Sequence, residues 1–101
     1  MASFLEFDYP LVRACLNHEP YAWEDFVDRF MDLTLRVIER SAQAHEKVLT
    51  EEEKIELCEA IFRSFRYNDY QLLREFRFHS SVSAYLVVLA RRLACGFLMQ
   101  A

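Results

Sequence analysis

An apolar helical pattern over residues 76–94 constrains the fold of this chain more than any other feature. Two serines, Ser80 and Ser81, stand where they can cap the start of a helix. After them, apolar residues recur at the three- and four-residue spacing of one helical face, namely Tyr85, Leu86, Leu89, Leu93 and Phe97. The other faces are also largely apolar, so the pattern predicts a central helix that neighbouring helices cover.

Charges within the same stretch argue against a membrane span. Arg77 precedes the helix and the pair Arg91 and Arg92 interrupts it, whereas a transmembrane helix needs about 20 consecutive, predominantly apolar residues. Residues 1–10 carry acids and lack the basic start and apolar centre of a signal peptide. We therefore predict a cytoplasmic protein with no membrane partner.

The composition favours a single small all-α domain over residues 1–101. One glycine and two prolines leave little material for hairpins and bulges, whereas the helix formers leucine, glutamate, arginine and alanine dominate. Apolar residues make up 53% of the chain, which is ample for a core of this size. We expect part of that surplus to lie on an interface, for which a homodimer is one candidate.

Two helices are predicted in the first half of the chain. Asp8 is placed to cap a short helix over residues 11–16. Pro20 then starts a long helix. Its inward stripe is expected to contain Trp23, Phe26, Val27, Phe30, Leu33, Thr34, Val37 and Ile38.

A third helix before the apolar one completes a predicted bundle of about four helices. Thr50 and Glu53 form a capping box at its start. The pattern breaks at residues 67–69, where Asp69 is expected to cap a short turn. The inward residues of this helix are expected to be Ile55, Cys58, Ile61, Phe62 and Phe65.

The charge is distributed unevenly along the chain. Residues 1–59 carry 14 acids and 6 bases, and residues 60–101 carry 6 bases and 2 acids, so a net charge of −8 is followed by one of +4. All six bases of the second part are arginines, which suit phosphate contact and stacking on bases better than lysines do. Between residues 60 and 78 they mix with aromatic side chains, a combination that holds single-stranded nucleic acid: Arg63, Arg66, Tyr67, Tyr70, Arg74, Phe76 and Arg77. The alternative is that these aromatics lie in the core and the arginines face solvent.

Catalytic and metal-binding patterns are missing from the sequence, so we predict neither enzyme activity nor a cofactor. Cys15 and His18 have ligand spacing, but a zinc site needs four convergent ligands and no second pair stands at a suitable spacing. A glycine-rich phosphate loop cannot be built with Gly96 alone. The three cysteines lie among apolar neighbours, which indicates buried thiols in a reducing compartment.

The ordered set of segments resembles region 2 of bacterial RNA polymerase sigma factors, especially the extracytoplasmic-function group. Members of that group carry a helix close to D-L-V-Q-E-V-F-L-R-L-W, a loop close to F-R-G-E-S-S-F and a helix close to T-W-L-Y-R-I-A-R-N-L-A. In this chain residues 56–65 read E-L-C-E-A-I-F-R-S-F, residues 76–82 read F-R-F-H-S-S-V and residues 84–94 read A-Y-L-V-V-L-A-R-R-L-A. The long helix opens with A-W-E-D-F-V-D-R-F, similar to the family's A-W-E-x-L/F-V-x-R-Y/F, so the resemblance covers about residues 20–98.

The resemblance implies a helical domain that binds core RNA polymerase through its largest subunit. In the family an acid, a Gln and a Glu of the first helix contact the polymerase. Glu56 keeps the acid, Glu59 stands in place of the Gln, and Ala60 stands in place of the Glu. Arg63 completes the expected polymerase-binding set.

The resemblance also implies that the loop and the last helix hold the melted minus-ten strand of promoter DNA during transcription initiation. The family's loop matches residues 77–80, and its basic pair matches Arg91 and Arg92. Together with the basic and aromatic residues before the loop, the expected DNA-binding residues are Arg63, Arg66, Tyr67, Arg74, Arg77, Phe78, His79, Ser80, Arg91 and Arg92.

Departures from the family keep a second hypothesis open. Ala60 lacks a polar group, and residues 96–101 are apolar where the family continues with an Asp and a basic run. The chain ends before a helix-turn-helix domain for the minus-35 element, so it is either a fragment of a sigma factor or a reduced, sigma-like protein. The alternative function is a protein-interaction module without DNA function: an adaptor, a decoy for an anti-sigma factor, or a homodimer. An anti-sigma factor is also an expected partner under the first hypothesis.

Overall fold

Four α-helices and the segments that join them make up this computed structural model, which describes residues 2–77 and 80–100 and, of their side chains, those from residue 8 onward. The helices are α1 (Ala2–Leu16), α2 (Ala22–Ala44), α3 (Glu51–Arg74) and α4 (Val82–Met99). The described residues contain no β-strand. The predicted all-α bundle of about four helices is confirmed.

The first helix begins earlier than predicted, and Asp8 is not its N-cap. α1 runs from Ala2, so Asp8 lies inside the helix, where its side chain is 0% exposed. Its carboxylate accepts two hydrogen bonds from the guanidinium of Arg29 in α2, from Nε at 3.0 Å and from Nη2 at 3.3 Å. A buried carboxylate needs such a partner, and Asp8 therefore joins α1 to α2. The predicted end of the helix at Leu16 is confirmed.

The central helix is α2 and not α4. α2 packs against α1, α3 and, most extensively, α4. It begins at Ala22, two residues after Pro20, because Tyr21 takes a left-handed conformation with φ 65°. Most of the predicted stripe is buried, although Trp23, Val27 and Leu33 are only partly so. The fully buried residues are Ala22, Phe26, Phe30, Thr34, Val37, Ile38, Ser41 and Ala42.

The third helix begins as predicted. The Thr50 hydroxyl accepts a hydrogen bond from the Glu53 N–H at 3.1 Å, and the Glu53 carboxylate accepts one from the Thr50 N–H at 2.9 Å. This reciprocal pairing confirms the capping box. Of the five expected inward residues, Ile55 is the exception: it is 56% exposed because it lies on a surface groove between α2 and α3.

The predicted break in α3 is confirmed. Tyr67 is extended, and Asn68, Asp69 and Tyr70 all have positive φ, between 55° and 61°. A right-handed helix cannot continue through three consecutive residues in the left-handed conformation, so the chain turns sharply here. Asp69 does not cap the following turn: its carboxylate pairs with His18 and Arg74 instead.

The face of α4 that is buried differs from the predicted one. Ser81 caps the helix by accepting a hydrogen bond from the Ala84 N–H at 3.0 Å. The fully buried residues are spaced four apart: Val82, Leu86, Ala90, Ala94 and Leu98. Of the expected stripe, only Leu86 is fully buried. The alanines explain this rotation, because helices approach more closely where the side chains between them are small.

The length and composition of α4 would also allow it to cross a membrane, with a mean hydropathy of 1.6 over Val82–Met99. In this fold it packs along α2, and Arg91 and Arg92 are exposed on it. A core helix of a bundle has the same composition as a short span, so the expected absence of a membrane partner stays a prediction.

Candidate nucleic-acid and partner-binding surface

The four residues expected to bind the polymerase share one face of α3. Glu56, Glu59, Ala60 and Arg63 lie at positions i, i+3, i+4 and i+7, which places them side by side along the helix. Glu56, Glu59 and Arg63 are exposed, and Ala60 is half-buried. The arrangement places two carboxylates and one guanidinium around the small side chain of Ala60.

An open groove of about 800 Å³ lies between α2 and α3, and we call it the α2–α3 groove. Its floor is apolar and aromatic, while Glu59, Arg63 and Arg66 supply its charges. Three of the expected DNA-binding residues, Arg63, Arg66 and Tyr67, thus meet in one place. The complete lining is Trp23, Val27, Met31, Leu35, Ile55, Cys58, Glu59, Phe62, Arg63, Arg66 and Tyr67.

An aromatic ring and a guanidinium are held together within this groove. The Cζ atom of Arg66 lies 5.3 Å from the ring centroid of Trp23, a distance at which a cation–π attraction operates. The Trp23 ring also packs against Phe62, at 6.1 Å between ring centroids, and against Phe26, at 5.5 Å. Tyr67 is 75% exposed beside them. The groove therefore offers flat surfaces and positive charge together.

Arg74, in contrast, is occupied by contacts within the protein. Its Nε donates to the Asp69 carbonyl at 2.8 Å, and its Nη2 donates to the Leu16 carbonyl at 3.0 Å and to the Asp69 carboxylate at 3.2 Å. The other carboxylate oxygen of Asp69 lies 2.8 Å from Nε2 of His18. We call this set the Arg74 clamp. It joins the C-terminal end of α1 to the bend in α3, and it explains why Arg74 lies apart from the α2–α3 groove.

Two aromatic residues of the 60–78 segment belong to the core. Tyr70 is 4% exposed and Phe76 is 5% exposed. The ring of Phe76 packs between Tyr9, at 5.7 Å, and Tyr85, at 4.8 Å between centroids. For Tyr70 and Phe76 the interpretation as stacking residues is wrong, and the alternative of core aromatics is correct.

The loop between α3 and α4 is anchored close to its end. The Tyr9 hydroxyl donates to the Ser80 carbonyl at 2.7 Å, and the next residue, Ser81, caps α4. Arg77 and Ser80 are exposed. The two remaining loop residues expected to bind DNA, Phe78 and His79, lie outside the described residues.

The basic pair of α4 lies elsewhere on the surface. Arg91 and Arg92 are both exposed, and Arg91 lines a separate groove between α2 and α4. The expected DNA-binding residues therefore divide into at least two groups, one at the α2–α3 groove and one on α4.

Helical periodicity predicts Trp23 and Ile55 as inward residues, whereas both line the α2–α3 groove. A signal was available in α2, where Trp23, Val27, Met31 and Leu35 form a second apolar row beside the fully buried one. When an apolar stripe is wider than the area that one neighbouring helix covers, part of the stripe stays at the surface. A second apolar row of this kind therefore predicts one wall of a surface groove.

The buried thiols of Cys15 and Cys58 offer no reactive chemistry at neutral pH. Burial raises the pKa of Cys15 from 9.0 to about 11 and that of Cys58 from 9.0 to about 11, because the charged thiolate is poorly solvated there. Both thiols stay protonated and are poor nucleophiles and metal ligands. Within the described part of the chain, no group of three or more His, Cys, Asp or Glu is placed to hold a metal ion.

Comparison of this chain with models of known protein families, with characterised proteins and with solved structures finds no match. The resemblance to sigma factor region 2 thus rests on the residues of the sequence, and it stays a prediction.

Proposed function

We propose that this chain is a sigma-factor-like transcription initiation domain that binds a melted promoter strand and core RNA polymerase. The observation that carries the proposal is the meeting of Arg63, Arg66 and Tyr67 with Trp23 in the α2–α3 groove. Single-stranded DNA is bound by arginines that follow its backbone and by aromatic rings on which its bases stack. Both kinds of group lie within this one groove.

The polymerase would bind on the neighbouring face of α3. Glu59 and Arg63 belong both to the expected polymerase-binding set and to the lining of the groove. A DNA strand in the groove and a polymerase helix on this face would therefore meet at Glu59 and Arg63. Arg77, exposed on the loop, would extend the positive surface beyond α3.

The proposal is tested by fluorescence anisotropy with a labelled, AT-rich, single-stranded oligonucleotide. Binding should be detectable at low salt and should weaken steeply as salt rises, because each phosphate contact releases condensed counterions. Arg63→Gln and Arg66→Gln should each weaken binding and reduce the slope of log K against log salt by roughly 0.7.

Lys47→Gln is the matched control, since it removes one positive charge in the segment after α2, outside the groove. It should leave the slope unchanged. Failure to bind any oligonucleotide at low salt, together with failure to retain core polymerase, would overturn the proposal.

A specific observation also favours the second candidate, a protein-interaction module. The floor of the α2–α3 groove is apolar, and Ile55 at its edge is 56% exposed. An apolar surface of this kind is typical of a site that a partner covers. This candidate predicts binding of an apolar dye or self-association by light scattering. A monomer that binds no dye would contradict it.

A further inference from the structure

A second groove, of about 530 Å³, lies between α2 and α4, and we call it the α2–α4 groove. Its volume falls within the ~300–1,000 Å³ of ordinary ligand sites. Its walls carry three arginines and no carboxylate: Arg36 and Arg40 come from α2, and Arg91 comes from α4. Leu33, Val37 and Val87 give it an apolar floor.

The three guanidinium groups form no ion pair with a carboxylate of the described residues. Two other arginines of the described residues do form ion pairs, Arg29 with Asp8 and Arg74 with Asp69. Arg36, Arg40 and Arg91 take part in none of the ion pairs among the described residues. The chain has 16 acids against 12 bases, so carboxylates are not scarce. Three like charges around one groove repel each other, and a bound anion would relieve that repulsion.

The geometry of the groove limits the kind of anion. Arg36 and Arg40 lie one turn apart on the same face of α2, and Arg91 approaches from the opposite wall. Guanidinium groups bind phosphate oxygens through two parallel hydrogen bonds, which makes arginine a preferred partner of phosphate. The aliphatic floor beside them suits an apolar or planar organic group. An inorganic anion alone would leave that floor uncovered.

We propose that the α2–α4 groove binds a nucleoside phosphate, either as a free nucleotide or as a unit of a nucleic-acid strand. The phosphate contacts Arg36, Arg40 and Arg91, and the base covers the aliphatic floor. This inference goes beyond the proposed function, because Arg36 and Arg40 are not among the expected DNA-binding residues and the groove is separate from the α2–α3 groove.

The inference is tested by calorimetric titration of the full chain with three probes: pyrophosphate, adenosine diphosphate and a twelve-residue oligothymidylate. Arg36→Gln, Arg40→Gln and Arg91→Gln should each weaken binding of at least one probe by roughly tenfold or more, since each removes a hydrogen bond between charged groups. Lys47→Gln is the control for the loss of one positive charge outside the groove. Arg36, Arg40 and Arg91 are exposed and Lys47 is half-buried, so circular dichroism melts of the four variants should agree within a few degrees.

The probes separate the two sources of the ligand. Loss of adenosine diphosphate binding assigns the groove to a free nucleotide, and loss confined to the oligonucleotide assigns it to a strand. The inference falls if no probe binds, or if no probe distinguishes the three arginine variants from Lys47→Gln. The inference fails and the proposed function survives if oligonucleotide binding depends on Arg63 and Arg66 while no probe depends on Arg36, Arg40 or Arg91. If adenosine diphosphate binds through the groove and no oligonucleotide binds at all, the inference survives and the proposed function fails.

Discussion

Phe62 packs α3 against the aromatic residues of the core. Its ring lies edge-on to Trp23, Phe26 and Phe65, at 6.1, 6.3 and 5.8 Å between centroids, and the side chain is 5% exposed. Phe62→Ala would leave a cavity that costs about 3–5 kcal/mol, a large share of the ~5–15 kcal/mol that a small domain has. Thermal melts should show a large loss of stability.

The control for Phe62→Ala is Arg77→Ala, which truncates an exposed loop residue. A change of this kind usually alters the free energy of unfolding by no more than about 0.5 kcal/mol. Equal and small shifts of the two melting temperatures would contradict the assigned role of Phe62.

The buried thiols of Cys15 and Cys58 predict a loss of stability at alkaline pH. Burial raises the pKa of each from 9.0 to about 11, so the unfolded chain releases these protons first as the pH rises. The free energy of unfolding should therefore be unaffected below pH 9.0 and should fall between 9.0 and about 11. Chemical denaturation across this range measures the effect.

Tyrosines and lysines also titrate in that range, so the informative comparison is with a Cys15→Ala, Cys58→Ala double variant. That variant should lose less stability per pH unit than the natural chain, although it starts from a lower value because of its cavities. Identical slopes in the two proteins would show that the thiols do not contribute.

At the scale of the helices, the bend in α3 depends on the Arg74 clamp. Residues Asn68, Asp69 and Tyr70 are all left-handed, a conformation that costs a residue with a side chain roughly 1–2 kcal/mol. Arg74→Gln removes hydrogen bonds to Asp69 and Leu16. Because these groups are partly exposed, we expect a stability loss of about 1 kcal/mol.

Oligonucleotide binding shows whether Arg74 acts only within the Arg74 clamp or also contacts a DNA phosphate. If Arg74 acts only within the protein, Arg74→Gln leaves the salt slope of oligonucleotide binding unchanged, whereas Arg63→Gln reduces it. A slope reduced by roughly 0.7 in Arg74→Gln, with unchanged stability, would mean that the arginine leaves Asp69 to bind the strand.

The helices show which features a sequence can predict. The capping box of Thr50 and the stripe of Phe62 and Phe65 were predictable, because neighbours within one or two turns determine them. The role of Asp8 was not, since its partner, Arg29, lies on another helix. In a sequence, a carboxylate that precedes a helical pattern is interpreted as an N-cap. Only the structure shows that its side chain is buried.

The same limit applies to the candidate site. The sequence placed arginines and aromatics together between residues 60 and 78, and Arg63, Arg66 and Tyr67 do meet in one groove. Tyr70 is the last residue of the bend, and Arg74 and Phe76 follow it. Tyr70 and Phe76 are buried in the core, and Arg74 contacts the end of α1. Helical periodicity carries no information about direction beyond such a bend.

For the molecule as a whole, α2 is the element on which both grooves depend. It contributes Trp23 and Val27 to the α2–α3 groove, and it contributes Arg36 and Arg40 to the α2–α4 groove. A chain with a net charge of −4 thus places arginines along two separate grooves. Under the proposed function, this separation of charge is what lets an acidic protein bind a polyanion, since local potential and not net charge guides association.

NMR is the most direct test of whether the α2–α3 groove holds a DNA strand. Amide and Trp23 indole signals of the labelled full chain are followed at low salt during titration with an AT-rich, single-stranded oligonucleotide. We predict that the largest shifts occur at Trp23, Arg63, Arg66 and Tyr67, and that added salt reverses them. Saturation of the protein with oligonucleotide without a shift at any of these four residues would contradict binding of a strand in this groove.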